Sequence, residues 1–222
     1  MRKTIGILGL GIFGSTIAKT LAENDFDVIV LDKSAENVNR LEHFTAKGVI
    51  GDMTDLELLE AIGLAECDAV VIASGTNLES SILALMNCKK LGIKKIIAKA
   101  KNKMFQEVLE QMGATSVILP EKLTGIRVAK NLMRTSIQDI VELDEYTSII
   151  EFLPPKKWIG KRLDQLDLRN RYEINIIGMR KTKGARLNVG VSSDTIIEEQ
   201  VVLVGIAESD LFERYDYLNE LE

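Results

Sequence analysis

The chain is expected to be an α/β protein, with a doubly wound parallel sheet followed by a small α+β domain. Three observations predict this. Short, nearly all-apolar runs such as Val28-Ile29-Val30-Leu31 and Val70-Val71-Ile72 alternate with helical patterns. That is how strands buried on both faces look between crossover helices. A glycine-rich hexapeptide, Gly9-Leu10-Gly11-Ile12-Phe13-Gly14, follows the first apolar run and opens the first helical stretch. Finally, residues 1–138 carry 17 Lys and Arg against 16 Asp and Glu, whereas residues 139–222 carry 11 against 17. That shift in charge predicts two domains, 1–138 and 139–222.

In chain order, a strand is expected at 4–8 and a helix at 13–23, joined by the glycine run. The second strand, 28–31, leads to a helix at 34–46. A third strand at 49–50 leads to a helix at 55–62, where Thr54 and Glu57 have capping-box spacing and Gly63 stands at a helix C-cap position. The fourth strand, 69–73, precedes a helix at 78–91. Lys89 and Lys90 suit its last turn and Gly92 closes it. A strand at 95–98, a helix at 103–112 closed by Gly113, and a strand at 116–119 follow. Joined by right-handed crossovers, these units make a Rossmann-like fold that binds its ligand at the carboxyl ends of the strands.

The glycine run is where chemistry enters. Gly9 permits the tight turn, Gly11 lets the backbone approach a pyrophosphate, and Gly14 lets helix and strand pack closely. The helix then offers free N–H groups and a positive dipole end to phosphates, with Ile12 and Phe13 where the loop enters it. Asp32 ends the second strand, 23 positions after Gly9. There a carboxylate accepts hydrogen bonds from ribose hydroxyls and repels a 2′-phosphate. The spacing points to an adenine nucleotide. Lys33 adjoins Asp32, and Asp52-Met53 follow the third strand, where Asp52 suits either an adenosine contact or a helix cap. The small loop Ala73-Ser74-Gly75-Thr76-Asn77 follows the fourth strand and suits both a run along the phosphates and a cap by Asn77. Lys99 ends the fifth strand and can pair with a phosphate. Glu121 follows the sixth, where a carboxylate near phosphates makes sense as a ligand for Mg or Ca.

Composition excludes other classes. Hydrophobic residues make up 46% and charged residues 27% of the 222, a globular balance. No stretch reaches the roughly 18–20 apolar residues of a membrane span, and no export signal is apparent, so a cytoplasmic protein is expected. A net charge of −5 argues against general nucleic-acid binding. A lysine cluster, from Lys89 and Lys90 to Lys101 and Lys103, reads as a solvated face. Cys67 and Cys88 have no metal-ligand spacing. His43 is the single histidine, the segment after 138 has neither histidine nor cysteine, and no nucleophile motif is present. A nucleotide site without acid–base apparatus reads as a sensor; the alternative is an NAD-dependent oxidoreductase or redox sensor.

The run GLGIFG, VIVLD, GD, VVIASGTN, IIAKA, GATSVILPEKLTG resembles the RCK-type regulatory subunits of Ktr and Trk potassium uptake systems. So do Trp158-Ile159-Gly160-Lys161, Leu166-Asp167-Leu168-Arg169, Ile174-Asn175-Ile176-Ile177-Gly178 and Val202-Leu203-Val204-Gly205. The resemblance covers nearly the whole chain. It implies a homodimer, commonly arranged in an octameric cytosolic ring, beneath a separate KtrB- or TrkH-like pore-forming membrane subunit that nucleotide exchange opens or closes. It implies ATP, ADP or NAD(H) as ligand. Ile12 stands where the family often has an arginine that reaches a terminal phosphate, which leaves the choice among these open. It further implies cyclic di-AMP in the C-terminal domain, lined by Asp167, Leu168, Arg169, Ile174, Asn175 and Ile176, although Val191 replaces an expected proline.

After the sixth strand, Leu123, Ile126, Ala129, Leu132, Met133 and Ile137 form an apolar stripe at helical spacing. Core packing explains it; the resemblance implies a crossover helix buried between subunits. Beyond it, strand pairs are expected at 140–153, a short helix at 161–166 and a strand at 174–179. A turn at 181–184, a strand at 201–206 and a helix at 209–218 complete the chain.

Overall fold

The computed structural model describes residues 2–75, 77–133, 136–144 and 146–217. Thr76 of the expected 73–77 loop, positions 134 and 135 between the stripe residues Met133 and Ile137, 145 of the strand pair and 218 of the last helix lie outside these. The chain divides into two units, Met1–Ile126 and Arg127–Glu222.

In the first unit, β1 (Thr4–Leu8), β2 (Asp27–Asp32), β3 (Lys47–Ile50), β4 (Ala69–Ile72), β5 (Ile96–Lys99) and β6 (Ser116–Ile118) form a parallel sheet. Its order is β3-β2-β1-β4-β5-β6. The order reverses between β1 and β4, so their carboxyl ends flank a crevice. Ile7, Val28, Val30 and Val71 pack into one core with Leu10 and Ala18. Leu8, Leu31, Val70 and Ile72 pack into the other with Leu59, Leu85 and Leu109. Burial on both faces is why these strands lack alternation.

The helices are α1 (Ile12–Glu23), α2 (Ala35–Asn39), α3 (Leu56–Ala61), α4 (Leu78–Lys90), α5 (Lys103–Gln111) and α6 (Pro120–Met133). Side chains of Ser34, Asp55, Asn77 and Asn102 cap α2 to α5, and Gly63, Gly92 and Gly113 take positive φ at the positions expected. Two expectations are corrected. The helix at 34–46 is α2 followed by a separate 3₁₀ turn, Glu42–Phe44, which carries the exposed His43. Asn37-Val38-Asn39 is a poor helical run, and the buried Leu41 sits outside helical backbone at φ −107°. The cap of α3 is Asp55, accepting the Leu58 N–H at 3.1 Å, rather than Thr54. The Thr54 N–H is itself held at 3.0 Å by the Asp52 carboxylate.

The second unit pairs β7 (Ile137–Glu142), β8 (Thr147–Phe152), β9 (Ile174–Arg180) and β10 (Val202–Glu208) in the antiparallel order β7-β8-β10-β9. Position 138, the expected boundary, falls within β7. The sheet's core joins Phe152, Trp158 and Phe212, with Phe152 edge-on to both other rings. Over it lie α7 (Leu163–Leu166), α8 (Leu168–Tyr172) and α9 (Ser209–Tyr217). Sequence patterning missed α8 because Leu-Arg-Asn-Arg-Tyr is too short for periodicity; its Leu168 and Tyr172 are buried. The turn at 181–184 is present, with the Ala185 N–H on the Thr182 carbonyl at 3.0 Å. Within this unit Lys130 of α6 pairs with the buried Glu213 of α9 at 3.0 Å.

Candidate functional site

The glycine loop joins β1 to α1 at the crevice. Gly9 has φ +97°, and a Cβ there would lie 3.1 Å from the Ser74 nitrogen. A Cβ on Gly14 would lie 2.0 Å from the Gly9 carbonyl oxygen, so no other residue fits. A Cβ on Gly11 would meet nothing within 4 Å. Gly9 and Gly14 therefore serve packing, and Gly11 leaves open space for a ligand. No side chain caps α1, and its first turn carries no acid. Its N-terminal N–H groups and dipole therefore keep their attraction for an anion.

Asp32 ties this loop to the end of β2. Its Oδ2 accepts the Leu10 N–H at 2.5 Å, and its Oδ1 accepts the Ser34 N–H at 2.8 Å. The Asn37 side-chain amide donates to the same Oδ1 at 3.3 Å. Beside it lies a cavity of about 160 Å³ lined by Gly9, Leu31, Asp32, Lys33, Gly51, Met53 and Ser74. Lys33 Nζ is 2.8 Å from Asp52 Oδ2. That bond, with the Thr54 N–H, holds the Asp52 carboxyl below the usual range. Asp52 thus closes a local turn and an ion pair at the site's edge.

Across the crevice, Ala73 is buried. The Ser74 carbonyl accepts the Ser81 hydroxyl at 2.9 Å, and Asn77 accepts the Ser80 N–H at 3.2 Å as the cap of α4. A Cβ on Gly75 would meet Lys99 Cγ at 3.1 Å. Lys99 Nζ lies 2.6 Å from Glu121 Oε1 and 5.8 Å from the Phe13 ring centroid. Lys99 holds the Glu121 carboxyl below the usual range. Ile12 is 90% exposed. The fold therefore gathers Gly9 to Gly14, Asp32, Lys33, Met53 and Ser74 around one crevice. Asn77 is occupied as a cap. Sequence reasoning missed Leu31, Gly51 and Asn37. The Gly-Asp pair after β3 was the available signal for Gly51, whose Cβ would lie 2.2 Å from Leu58 Cδ2.

The TrkA-N domain family matches residues 5–120. Ktr system potassium uptake protein C of Bacillus subtilis (strain 168) is 33% identical over 204 residues, covering 92% of each chain. This chain belongs to the Ktr-type TrkA-N family. Among solved structures, the GsuK RCK domain superposes with a TM-score of 0.63 at 20% identity, covering 98% of this chain and 48% of that one. The GsuK channel bound to NAD gives 0.62 at 20% identity, covering 98% of this chain and 40% of that one. This chain thus spans less than half of either GsuK chain, and at that identity the likeness establishes the fold: a Rossmann-like parallel sheet followed by a small antiparallel one.

The second unit of this Ktr-type chain has its own cavity, of about 360 Å³. Asp167, Leu168, Arg169, Ile174, Asn175 and Ile176 all line it, as does Val191. Asp167 takes φ +49° between α7 and α8, and its Oδ1 accepts the Asn170 amide at 2.6 Å. Leu168 and Ile174 are buried, while Arg169 and Asn175 are exposed. Leu163, Asp164, Ser192 and Ser193 also line it and were not singled out, because they come from segments without a motif. Burial pushes the Cys67 thiol up to about 11 and the Cys88 thiol up to about 12, which makes both poor nucleophiles at neutral pH. Among the described residues, no three His, Cys, Asp or Glu side chains cluster as a metal site, and no helix is long and apolar enough to cross a membrane.

Proposed function

We propose that this chain is a nucleotide-binding regulatory subunit of a membrane potassium transport system. The observation that carries this reading is its whole-length likeness to Ktr system potassium uptake protein C, at 33% identity. The nucleotide is an adenine nucleotide, ATP, ADP or NAD(H). Its pyrophosphate lies on the α1 N-terminus over Gly11 and its ribose lies against Asp32. NAD is the ligand of the GsuK channel, whose fold is shared. The ionisable groups named at the crevice are engaged: Asp32 by three donors, Lys33 by Asp52 and Lys99 by Glu121. None is poised as an acid or base, which suits a sensor rather than an enzyme.

The assembly reading is a cytoplasmic homodimer built through α6, with dimers in a ring beneath a KtrB- or TrkH-like membrane subunit. In α6, Leu123, Ile126, Leu132 and Met133 are exposed, Leu132 by 82%, which supports a role between subunits over core packing. Ile137, the last residue of that stripe, packs in the second unit's core. On this reading residues 1–138 form the nucleotide domain with its crossover helix and 139–222 the C-terminal domain. Glu121 is the cation ligand of the loaded state, and the second cavity takes cyclic di-AMP, with Arg169 on a phosphate and Leu168 and Ile176 against adenine. The test is affinity purification of the tagged chain from its own cells in mild detergent. A multi-span potassium transport protein should co-purify in stoichiometric amount; recovery of the chain with no membrane protein contradicts the reading.

A further inference from the structure

A lysine beside the glycine loop is already committed. Lys99 ends β5 with its stem against Gly75 and its ammonium beside Phe13, the second residue of α1. Its side chain is only 19% exposed, so few directions are open to the charge. One leads along Phe13 toward the first turn of α1. The other is taken by Glu121 Oε1, at 2.6 Å, in the first turn of α6. The other lysine of the site, Lys33, is paired with Asp52, and Ile12 brings no charge to the first position of α1.

We infer that Glu121 competes with the bound nucleotide's phosphate for Lys99. The inference rests on the nucleotide reading and adds a control on the same site. A phosphate seated on α1 draws Lys99 only by breaking its pair with Glu121, so part of the phosphate's attraction is consumed in the exchange. Two consequences follow from the charges. The site distinguishes adenosine from its phosphates less than a free lysine would allow. Occupancy also releases a carboxylate on the first turn of α6, so the phosphate's presence is reported at the start of that helix. An ordinary surface ion pair joins two solvated side chains and couples to little. Here one partner is mostly buried beside the glycine loop, so the pair cannot re-form elsewhere when the phosphate takes its lysine.

The test is calorimetric titration of adenosine and of ADP into the full chain, in buffer with a chelator so that divalent cations play no part. Wild type, Glu121→Gln, and Glu121→Gln combined with Lys99→Met are compared. Glu121→Gln should raise the ratio of ADP affinity to adenosine affinity about three- to five-fold, the scale of one partly exposed ion pair. Lys99→Met in that background should abolish the gain. A ratio that Glu121→Gln leaves unchanged or lowers overturns the competition while the nucleotide reading stands. A gain that survives Lys99→Met also overturns it, because Glu121 would then act by general repulsion. A wild-type chain that binds neither ligand overturns the nucleotide reading and the competition together.

Discussion

Asp32 and Gly14 carry the site for different reasons. Gly14 is required by sterics alone, since any Cβ there overlaps the Gly9 carbonyl. Asp32 works by charge, and in the structure it already braces the loop through the Leu10 N–H. On the proposed nucleotide reading, Asp32→Ala therefore removes both a ribose acceptor and a loop tether. It should weaken nucleotide binding by about 1–3 kcal/mol in calorimetry, as lost charge-assisted hydrogen bonds do; an unchanged affinity would remove Asp32 from the site. In the second unit, Arg169 is exposed at the cavity rim, where it can close on a phosphate. Cyclic di-AMP titrated into the full chain should bind, and Arg169→Ala should weaken that binding about ten-fold or more. Binding that Arg169→Ala leaves intact would take Arg169 out of that site. The glycine loop and Asp32 were legible in the sequence because each answers a local demand at a fixed spacing. Asn37 was not, because its reach to Asp32 depends on how the turn at Ser34 aims the start of α2 back at the end of β2.

At the scale of elements, apolar strands buried on both faces announced themselves, Asn77 marked the start of α4, and glycines marked three helix ends. Thr54 misled because two acids flanking it, Asp52 and Asp55, divided the turn and the cap between them. The apolar stripe was visible as a pattern, but a pattern does not say what covers it; only exposure separates core from interface. Leu123, Ile126 and Leu132 lie open on α6, and burying each in a partner is worth about 1.5–3 kcal/mol. A Leu132→Asp substitution would place an unpaired charge in that seam. It should convert the proposed dimer to monomer in sedimentation at micromolar concentration, with the circular dichroism of the fold retained. A wild-type chain that sediments as a stable monomer contradicts an α6 dimer.

At the scale of the molecule, a Rossmann-like sheet and a small antiparallel sheet are held by separate cores and joined through one continuous helix, α6. The sheet order was foreseeable from the βα alternation and the glycine loop, which together imply a reversal beside β1. The expected boundary at 138 falls within β7, whereas the two units divide at Ile126 and Arg127. A site at the switch point and a helix that begins beside it give the chain a means to report nucleotide state. The central claim is that nucleotide held on the glycine loop controls potassium transport. It is tested most directly by potassium uptake in cells lacking the gene, complemented with wild type or with a Gly14→Ala variant expressed at the same level. Uptake should fail without the gene, return with wild type, and stay low with Gly14→Ala. Uptake unchanged by the deletion, or fully restored by Gly14→Ala with nucleotide binding lost, would contradict the account.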